Sequence, residues 1–364
     1  MKLLVFAHPP PPVHGQSVMV KQLLERLPQV AGFEVLHVDA RLSHDSADIG
    51  RARPGKLLTL FGACARAWRL RLRHGPAYFY YIPAPGKRVA LYRDFIVLLL
   101  CRPFFSGLIL HWHAVGLGEW LDTHASAFER RLAFRLLGNA TLAIVLAPQV
   151  AEDARRLHPR RVAVVPNGIP DPAANAPERT APGESPCRVL YLGLCCRSKG
   201  TFDLLAAHAL LAARSPGRFH LTLAGGSVSA DETRDLRKEL ARLPAGSAEW
   251  IGFADDARKL ELFRSADVFC FPTRYPHEGQ PLVLIEALAH DVRIVTTRWR
   301  AIPGMLPAQH VWYANSGDPH ALADALATAA RAQPPQGALR QHYLGQFTPE
   351  RHVAALAAAL RSVG

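Results

Sequence analysis

The sequence predicts an α/β protein of two Rossmann-like domains, and three observations carry that expectation. Short runs of apolar, β-branched and aromatic residues recur along the whole chain. They alternate with longer amphipathic segments, the pattern of buried parallel strands and their crossover helices. Residues 171–187 break that rhythm with proline, alanine, glycine and serine, a linker composition. At 364 residues the chain is also too long for one ordinary core. The expected boundaries are 1–170 for the first domain, 188–345 for the second and 346–364 for a C-terminal helix, with a cleft between the domains.

In the first half, a strand over 3–7 runs into His8-Pro9-Pro10-Pro11-Pro12-Val13-His14-Gly15-Gln16-Ser17. A helix over 17–27 follows, with Ser17 as a candidate N-cap. Gly15 ahead of it lets a ligand approach the backbone; a proline-stiffened surface loop is the plain alternative. A strand over 33–38 precedes a polar loop over 41–55 that contains Pro54-Gly55. The helix over 56–73 is amphipathic. Leu57, Phe61, Cys64, Trp68 and Leu72 share one face, and Arg66, Arg69 and Arg73 lie opposite. That arginine face is either simply solvated or a contact to anionic lipid headgroups.

Strands over 78–82, 108–112, 142–146 and 162–165 alternate with helices over 89–100, 127–137 and 150–157. The strand over 108–112 ends in His111-Trp112-His113. Alternation sends both histidines to one side, at a strand end, where ligands of open α/β sheets collect. A buried, hydrogen-bonded histidine is the alternative for either. No carboxylate or thiol stands at a spacing that would complete a metal site. Pro166-Asn167-Gly168 is a turn signal.

After the linker the rhythm restarts, with strands over 188–192, 219–224, 250–253, 268–271 and 292–296. Helices are expected over 201–213, 231–242, 257–265, 319–330 and 349–362. The loop over 193–200 carries Arg197 and Lys199, and Gly225-Gly226 follows a strand. The densest stretch is Thr273-Arg274-Tyr275-Pro276-His277-Glu278-Gly279-Gln280-Pro281-Leu282, running into an apolar helix that contains Glu286. Proline suits the first helical position. Gly279 and the free N–H groups of the first turn then form an anion site at a strand end. A carboxylate inside an otherwise apolar helix needs a partner, because burying it alone is costly.

The net charge of +13 is uneven: residues 1–170 carry 22 Lys+Arg against 11 Asp+Glu, or +11. A basic first half fits an anionic membrane surface or an acidic substrate. Nucleic acid is disfavoured, because the basic residues lack stacking aromatics on one face. Six cysteines show no metal-ligand spacing, which suits a reducing compartment. The N-terminus runs straight into a strand with no signal peptide, and the longest apolar run, 95–101, is too short to span a bilayer. A cytoplasmic location, with possible peripheral contact to the inner face of the membrane, is the expectation.

In order and spacing these motifs resemble the retaining glycosyltransferases of family 4, which have the two-domain GT-B fold. Glu278 and Glu286, with seven residues between them, match that family's glutamate pair, and Gly279-Gln280-Pro281-Leu282 matches the start of the segment between them. Pro166-Asn167-Gly168 matches the turn before the linker, and Pro10 to Ser17 the loop over the donor phosphates. The resemblance implies sugar transfer from a nucleotide-diphosphate donor, UDP ahead of GDP, to a glycan or polyprenyl-diphosphate-linked acceptor. It implies no metal or other cofactor, and a last helix packed on the first domain. Glu278 would hold donor-sugar hydroxyls, Glu286 the ribose, His113 the transferred sugar, and Arg197 and Lys199 the diphosphate. Gly15, Gln16, Gly193, Gly225, Phe253, Gly279, Gln280, Pro281 and Leu282 would complete the donor site. The chain departs from the pattern at Leu194, where the family has arginine, at Asp291, where it has glycine, and at Gly304, where it often has glutamate. A sugar-nucleotide epimerase on the same fold and a transferase-like binding subunit of a polysaccharide assembly complex are the rival readings.

Overall fold

A computed structural model describes residues 1–41, 54–174 and 186–363. Most of the linker expected over 171–187, and most of the loop expected over 41–55, lie outside them. The described residues form two compact units, Met1–Gly168 with Pro349–Gly364, and Ile169–Thr348.

The first unit runs β1 (Lys2–Ala7), α1 (Gly15–Arg26), β2 (Glu34–Asp39), α2 (Pro54–His74), β3 (Tyr78–Tyr81), α3 (Arg88–Cys101), β4 (Leu108–Trp112), α4 (Leu117–Thr123), α5 (Ala127–Leu136), β5 (Leu142–Val145), α6 (Ala151–Arg155) and β6 (Val162–Val164). Its sheet is parallel throughout, in the order β2-β1-β3-β4-β5-β6. The second unit runs β7 (Cys187–Leu192), α7 (Thr201–Arg214), β8 (Phe219–Ala224), α8 (Ala230–Leu240), β9 (Ala248–Trp250), α9 (Asp256–Ser265), β10 (Val268–Phe271), α10 (Leu282–Ala289), β11 (Arg293–Thr297), α11 (Ile302–Met305), β12 (Val311–Ala314), α12 (Pro319–Arg331) and α13 (Ala338–Gln346). Its parallel sheet has the order β12-β11-β10-β7-β8-β9. The last helix, α14 (Pro349–Arg361), belongs to the first unit.

Both sheets are Rossmann-like, and each has a point where the winding reverses: between β1 and β3 in the first unit, and between β7 and β10 in the second. In such sheets the crevice at the strands' carboxyl ends at that point is the default ligand site.

Strand alternation explains why both faces of the first sheet are covered. Leu3 and Val5 enter one core with Ile109, Ile144, Leu356 and Leu360; Leu4 and Phe6 enter the other with Phe79, Leu110 and Leu98. Leu356 and Leu360 come from α14, so the expected return of the last helix to the first domain is observed. Further ties hold it there: Tyr78 Oη donates to the Val363 carbonyl at 2.9 Å, and Arg26 pairs with Glu350 at 2.9 Å.

The helix α2 is rotated from its expected facing. Leu60, Ala63, Cys64 and Ala67 point inward, while Leu57, Phe61 and Leu72 are exposed, Leu72 at 83%. The small Ala63 and Ala67 let α2 lie close to the sheet, so the large residues are not the inward stripe. Its outer face therefore mixes leucine and phenylalanine with the exposed Arg66, Arg69 and Arg73. Ser17 is not the N-cap of α1. His14 is, with Ser17 N donating to His14 Nδ1 at 3.2 Å and His14 N donating to Ser17 Oγ at 3.0 Å. Gly15 and Gln16 are thus in the first helical turn. The strand expected over 250–253 ends at Trp250, and Pro281 is the N-cap of α10 rather than its first residue.

Asp291 has a local reason. It follows α10 at φ 55°, a left-handed position that favours glycine. Its carboxylate accepts from the N–H groups of Gly337 (2.6 Å), Leu339 (3.0 Å) and Arg340 (3.2 Å) at the start of α13. The cap it supplies to α13 offsets the strain of its own backbone.

Candidate active site

In the second unit, two loops meet where the winding reverses. The loop after β7 contains Gly193 to Gly200, and the loop after β10 contains Pro272 to Pro281. A Cβ on Gly225 would lie 1.8 Å from the Gly193 carbonyl oxygen, and one on Gly200 would lie 2.0 Å from that of Pro272. Only glycine fits either place, so the ends of β7, β8 and β10 touch backbone to backbone. Arg274 N donates to the Ser198 carbonyl at 2.9 Å and closes the contact between the loops.

This packing brings Lys199 to Glu278. Lys199 Nζ lies 2.7 Å from Glu278 Oε2, which also accepts from Thr273 Oγ1 at 2.9 Å. The ammonium sits 4.6 Å from the centroid of Tyr275 and 5.5 Å from that of Phe271, a cationic head over two ring faces. Glu278, Gln280 and Pro281 are buried. No side chain caps α10, so its first-turn N–H groups and dipole are suited to an anion.

Arg197 is not brought to that pair. Its guanidinium bonds Asp235 at 2.7 Å and lies 4.2 Å from the Phe202 ring centroid, because α7 and α8 offer it a carboxylate and a ring face on their own side. Leu194 is half exposed in the loop. Phe253 lies in the segment after β9, 80% exposed and away from any core.

Glu286 projects from the middle of α10. Its Oε1 lies 3.0 Å from Lys259 Nζ, which also reaches Asp256 at 3.1 Å; its Oε2 is buried with no hydrogen-bond partner. Burial pushes this carboxyl's pKa up, and Lys259 opposes that push. Lys259 was not anticipated from sequence. The apolar run around Glu286 signals that a cation is needed, but which lysine supplies it depends on how α9 lies beside α10.

In the first unit the carboxyl ends of the strands gather histidines. His8 Nε2 and His14 Nε2 are 3.2 Å apart. His111 is buried and shares a hydrogen bond with the Tyr80 hydroxyl through Nδ1; its ring centroid is 4.1 Å from that of His113. His352, carried in by α14, bonds the Pro166 carbonyl through Nδ1 at 2.7 Å. Desolvation holds His113 down to about 3 and His14 to about 4, and lowers His111, His8 and His352 as well. These rings are neutral at pH 7.

The sign of the resulting pH effect follows. In the unfolded chain each imidazole takes its proton near its ordinary value of about 6.5. Stability from the neutral forms is therefore full above that pH and is lost as pH falls toward about 4. The melting temperature should drop between about pH 7 and about pH 5, and His14→Asn, which keeps a capping side chain without the titration, should flatten the drop. A flat wild-type profile over that range would rule this out.

Residues 186–331 match the family model described as glycosyl transferases group 1. That match lies within the second unit. Over 135 residues the chain is 35% identical to the phosphatidyl-myo-inositol mannosyltransferase of Mycolicibacterium smegmatis, a match that covers 36% of this chain and 33% of that protein. The chain thus spans about a third of the length of that curated relative. Among solved structures, the sucrose-phosphate synthase of Thermosynechococcus elongatus aligns with a TM-score of 0.71 at 18% identity, covering 100% of this chain and 98% of that one. HepE of Anabaena, in complex with UDP, aligns at 0.71 and 16%, covering 100% of both. The UDP-forming α,α-trehalose-phosphate synthase of Burkholderia xenovorans, in complex with glucose-6-phosphate, aligns at 0.71 and 15%, covering 100% of both. Likeness at these identities establishes the fold alone, the GT-B fold with its two Rossmann-like domains. The match to the glycosyltransferase domain takes in Lys199, Lys259, Glu278 and Glu286 together.

Proposed function

We propose that the chain is a retaining glycosyltransferase of family 4. It moves a hexose from a nucleoside diphosphate sugar to a glycan or polyprenyl-diphosphate-linked acceptor, in the synthesis of a bacterial surface polysaccharide or glycolipid. The observation that supports this most is the buried Lys199–Glu278 pair beside the uncapped start of α10.

In this reading the donor diphosphate lies against the N–H groups of Gly279, Gln280 and Leu282, with Lys199 beside it. The bond from the anomeric carbon to the phosphate oxygen breaks, and its electron pair leaves on that oxygen. The ammonium and the helix dipole stabilise the charge that develops there. The acceptor hydroxyl attacks from the same face and passes its proton to the departing oxygen, so no protein nucleophile takes part. Glu278, with Oε2 held by Lys199 and Thr273, offers Oε1 to a donor-sugar hydroxyl. Glu286 offers Oε2 to the ribose, and His113 a neutral imidazole to the transferred sugar. The scheme uses no metal or other cofactor.

The UDP bound to HepE and the UDP-forming synthase favour UDP over GDP as the donor nucleotide. The outer face of α2, with Leu58, Phe61 and Leu72 between Arg66, Arg69 and Arg73, supports a peripheral contact with an anionic membrane from the cytoplasmic side. No helix of the described residues is long and apolar enough to cross a membrane.

A thermal-shift screen tests the donor reading. Ligand at about 100 times its dissociation constant stabilises the native state by about 2.7 kcal/mol. UDP should raise the melting temperature, and GDP should raise it less. No shift with any nucleoside diphosphate would overturn the reading. A transfer product whose anomeric configuration differs from the donor's would overturn retention.

A further inference from the structure

Apart from Glu286, every residue of α10 is apolar, and this carboxylate is largely buried. Two facts about it stand together. One oxygen is held at 3.0 Å by Lys259 Nζ, and the other is buried with no partner. A buried carboxylate left in that state is costly unless something completes it. Lys259 is itself fixed from the other side, by Asp256 at 3.1 Å one turn earlier on α9.

We infer that Lys259 is a positioning residue of the nucleotide site. It keeps Glu286 ionised and, by occupying Oε1, presents Oε2 as a charged acceptor for a ribose hydroxyl, so that the site selects ribonucleotides over deoxyribonucleotides. The inference rests on the donor-site reading above and adds to it the residue that makes the ribose contact strong. Charge-assisted hydrogen bonds are about twice as strong as neutral ones, so an acceptor oxygen that stays ionised discriminates more sharply than a protonated carboxyl. The charged groups that act on Glu286 are Lys259 and Asp256, both from α9. Arg340, on α13, which also packs on α10, is committed to Asp171 and the Ala289 carbonyl.

The test is calorimetric binding of UDP and 2′-deoxy- and 3′-deoxy-UDP to the wild type and to Lys259→Gln, Lys259→Arg and Glu286→Gln, at about pH 6 and about pH 8.5. The wild type should prefer UDP to at least one deoxy analogue by about tenfold at both pH values. Lys259→Gln should lose most of that preference at the lower pH and regain part of it at the higher. Without the ammonium, Glu286 keeps its proton to higher pH. Lys259→Arg should retain the preference, and Glu286→Gln should lack it at both pH values. A folded Lys259→Gln protein with wild-type preference at both pH values would overturn the inference. So would a wild type that binds UDP and both analogues equally, while leaving the donor site standing. If the wild type binds none of these nucleotides, the donor-site reading falls and this inference falls with it.

Discussion

Replacing Glu278 with alanine is expected to abolish sugar transfer and to destabilise the second unit by about 3 kcal/mol or more. The side chains of Lys199 and Glu278 keep only 17% and 9% of their exposure. Removing the carboxylate leaves an ammonium in that setting with one hydroxyl, from Thr273, and two ring faces for company. Transfer should fall by at least about 100-fold, the scale associated with losing a group aimed at the reacting centre. Lys199→Met should be damaging for the mirror-image reason. The double variant Lys199→Met, Glu278→Ala should be less destabilised than the sum of the singles, because neither charge is then left alone, but it should not recover transfer. Urea unfolding and a transfer assay on the four proteins check this. Transfer within a few-fold of wild type in Glu278→Ala would remove Glu278 from the transfer site, and a wild type that binds donor without transferring sugar would argue instead for a binding subunit on a transferase fold.

Deleting residues 349–364 is expected to unfold the first unit and leave the second intact. The helix α14 buries Leu356, Ala357 and Leu360 against Leu3, Val5, Tyr80, Ile109 and Ile144, and its Val353 is buried as well. Three large aliphatic side chains at about 1.5–3 kcal/mol each contribute roughly 5–9 kcal/mol. That equals the whole net stability of a typical domain. The same deletion removes the anchors to Pro166 and Val363 and the pair with Arg26. Hydrogen exchange would show it: amides of β1, β3 and β4 lose protection while those of β7, β10 and β11 keep theirs. The milder Leu356→Ala should cost about 2–5 kcal/mol in the same unit only. A truncated chain in which the first sheet stays protected would contradict this.

The strands are legible where they are short, mostly apolar and bounded by turn residues, as at 3–7, 108–112, 219–224 and 268–271. β12 escaped notice. Its Val311, Trp312 and Tyr313 form a strand-like triplet, but at a sheet edge they are only partly buried and the run is too short to separate from loop. The facing of α2 differs from its periodicity because volume, not only polarity, decides which stripe goes inward, and alanine carries little signal in such a pattern. The cap by His14 was missed because histidine is an uncommon cap, and its neutrality comes from burial beside His8. In the candidate site, Glu278 and Glu286 are visible in the sequence from their places, one in a strand-end loop and the other inside an apolar helix. Their cations differ: Lys199 is visible as a basic residue in a strand-end loop, whereas Lys259 comes from α9, whose place beside α10 a single sequence does not give. Strand order, which decides that β7 and β10 are neighbours, leaves no trace in a single sequence.

The return of α14 also sets an order of assembly. The second unit is one uninterrupted segment, 169–348, whereas the first is completed only by residues beyond it. On the ribosome, residues 1–168 emerge first, yet the face made by Leu3, Val5, Ile109 and Ile144 has only the α1 side chains Val20 and Leu23 with Leu27 to cover it until all of 169–348 has been made. The half of the chain synthesised first is therefore the last to reach its native state, and its exposed sheet face meanwhile is a surface for chaperones or for aggregation.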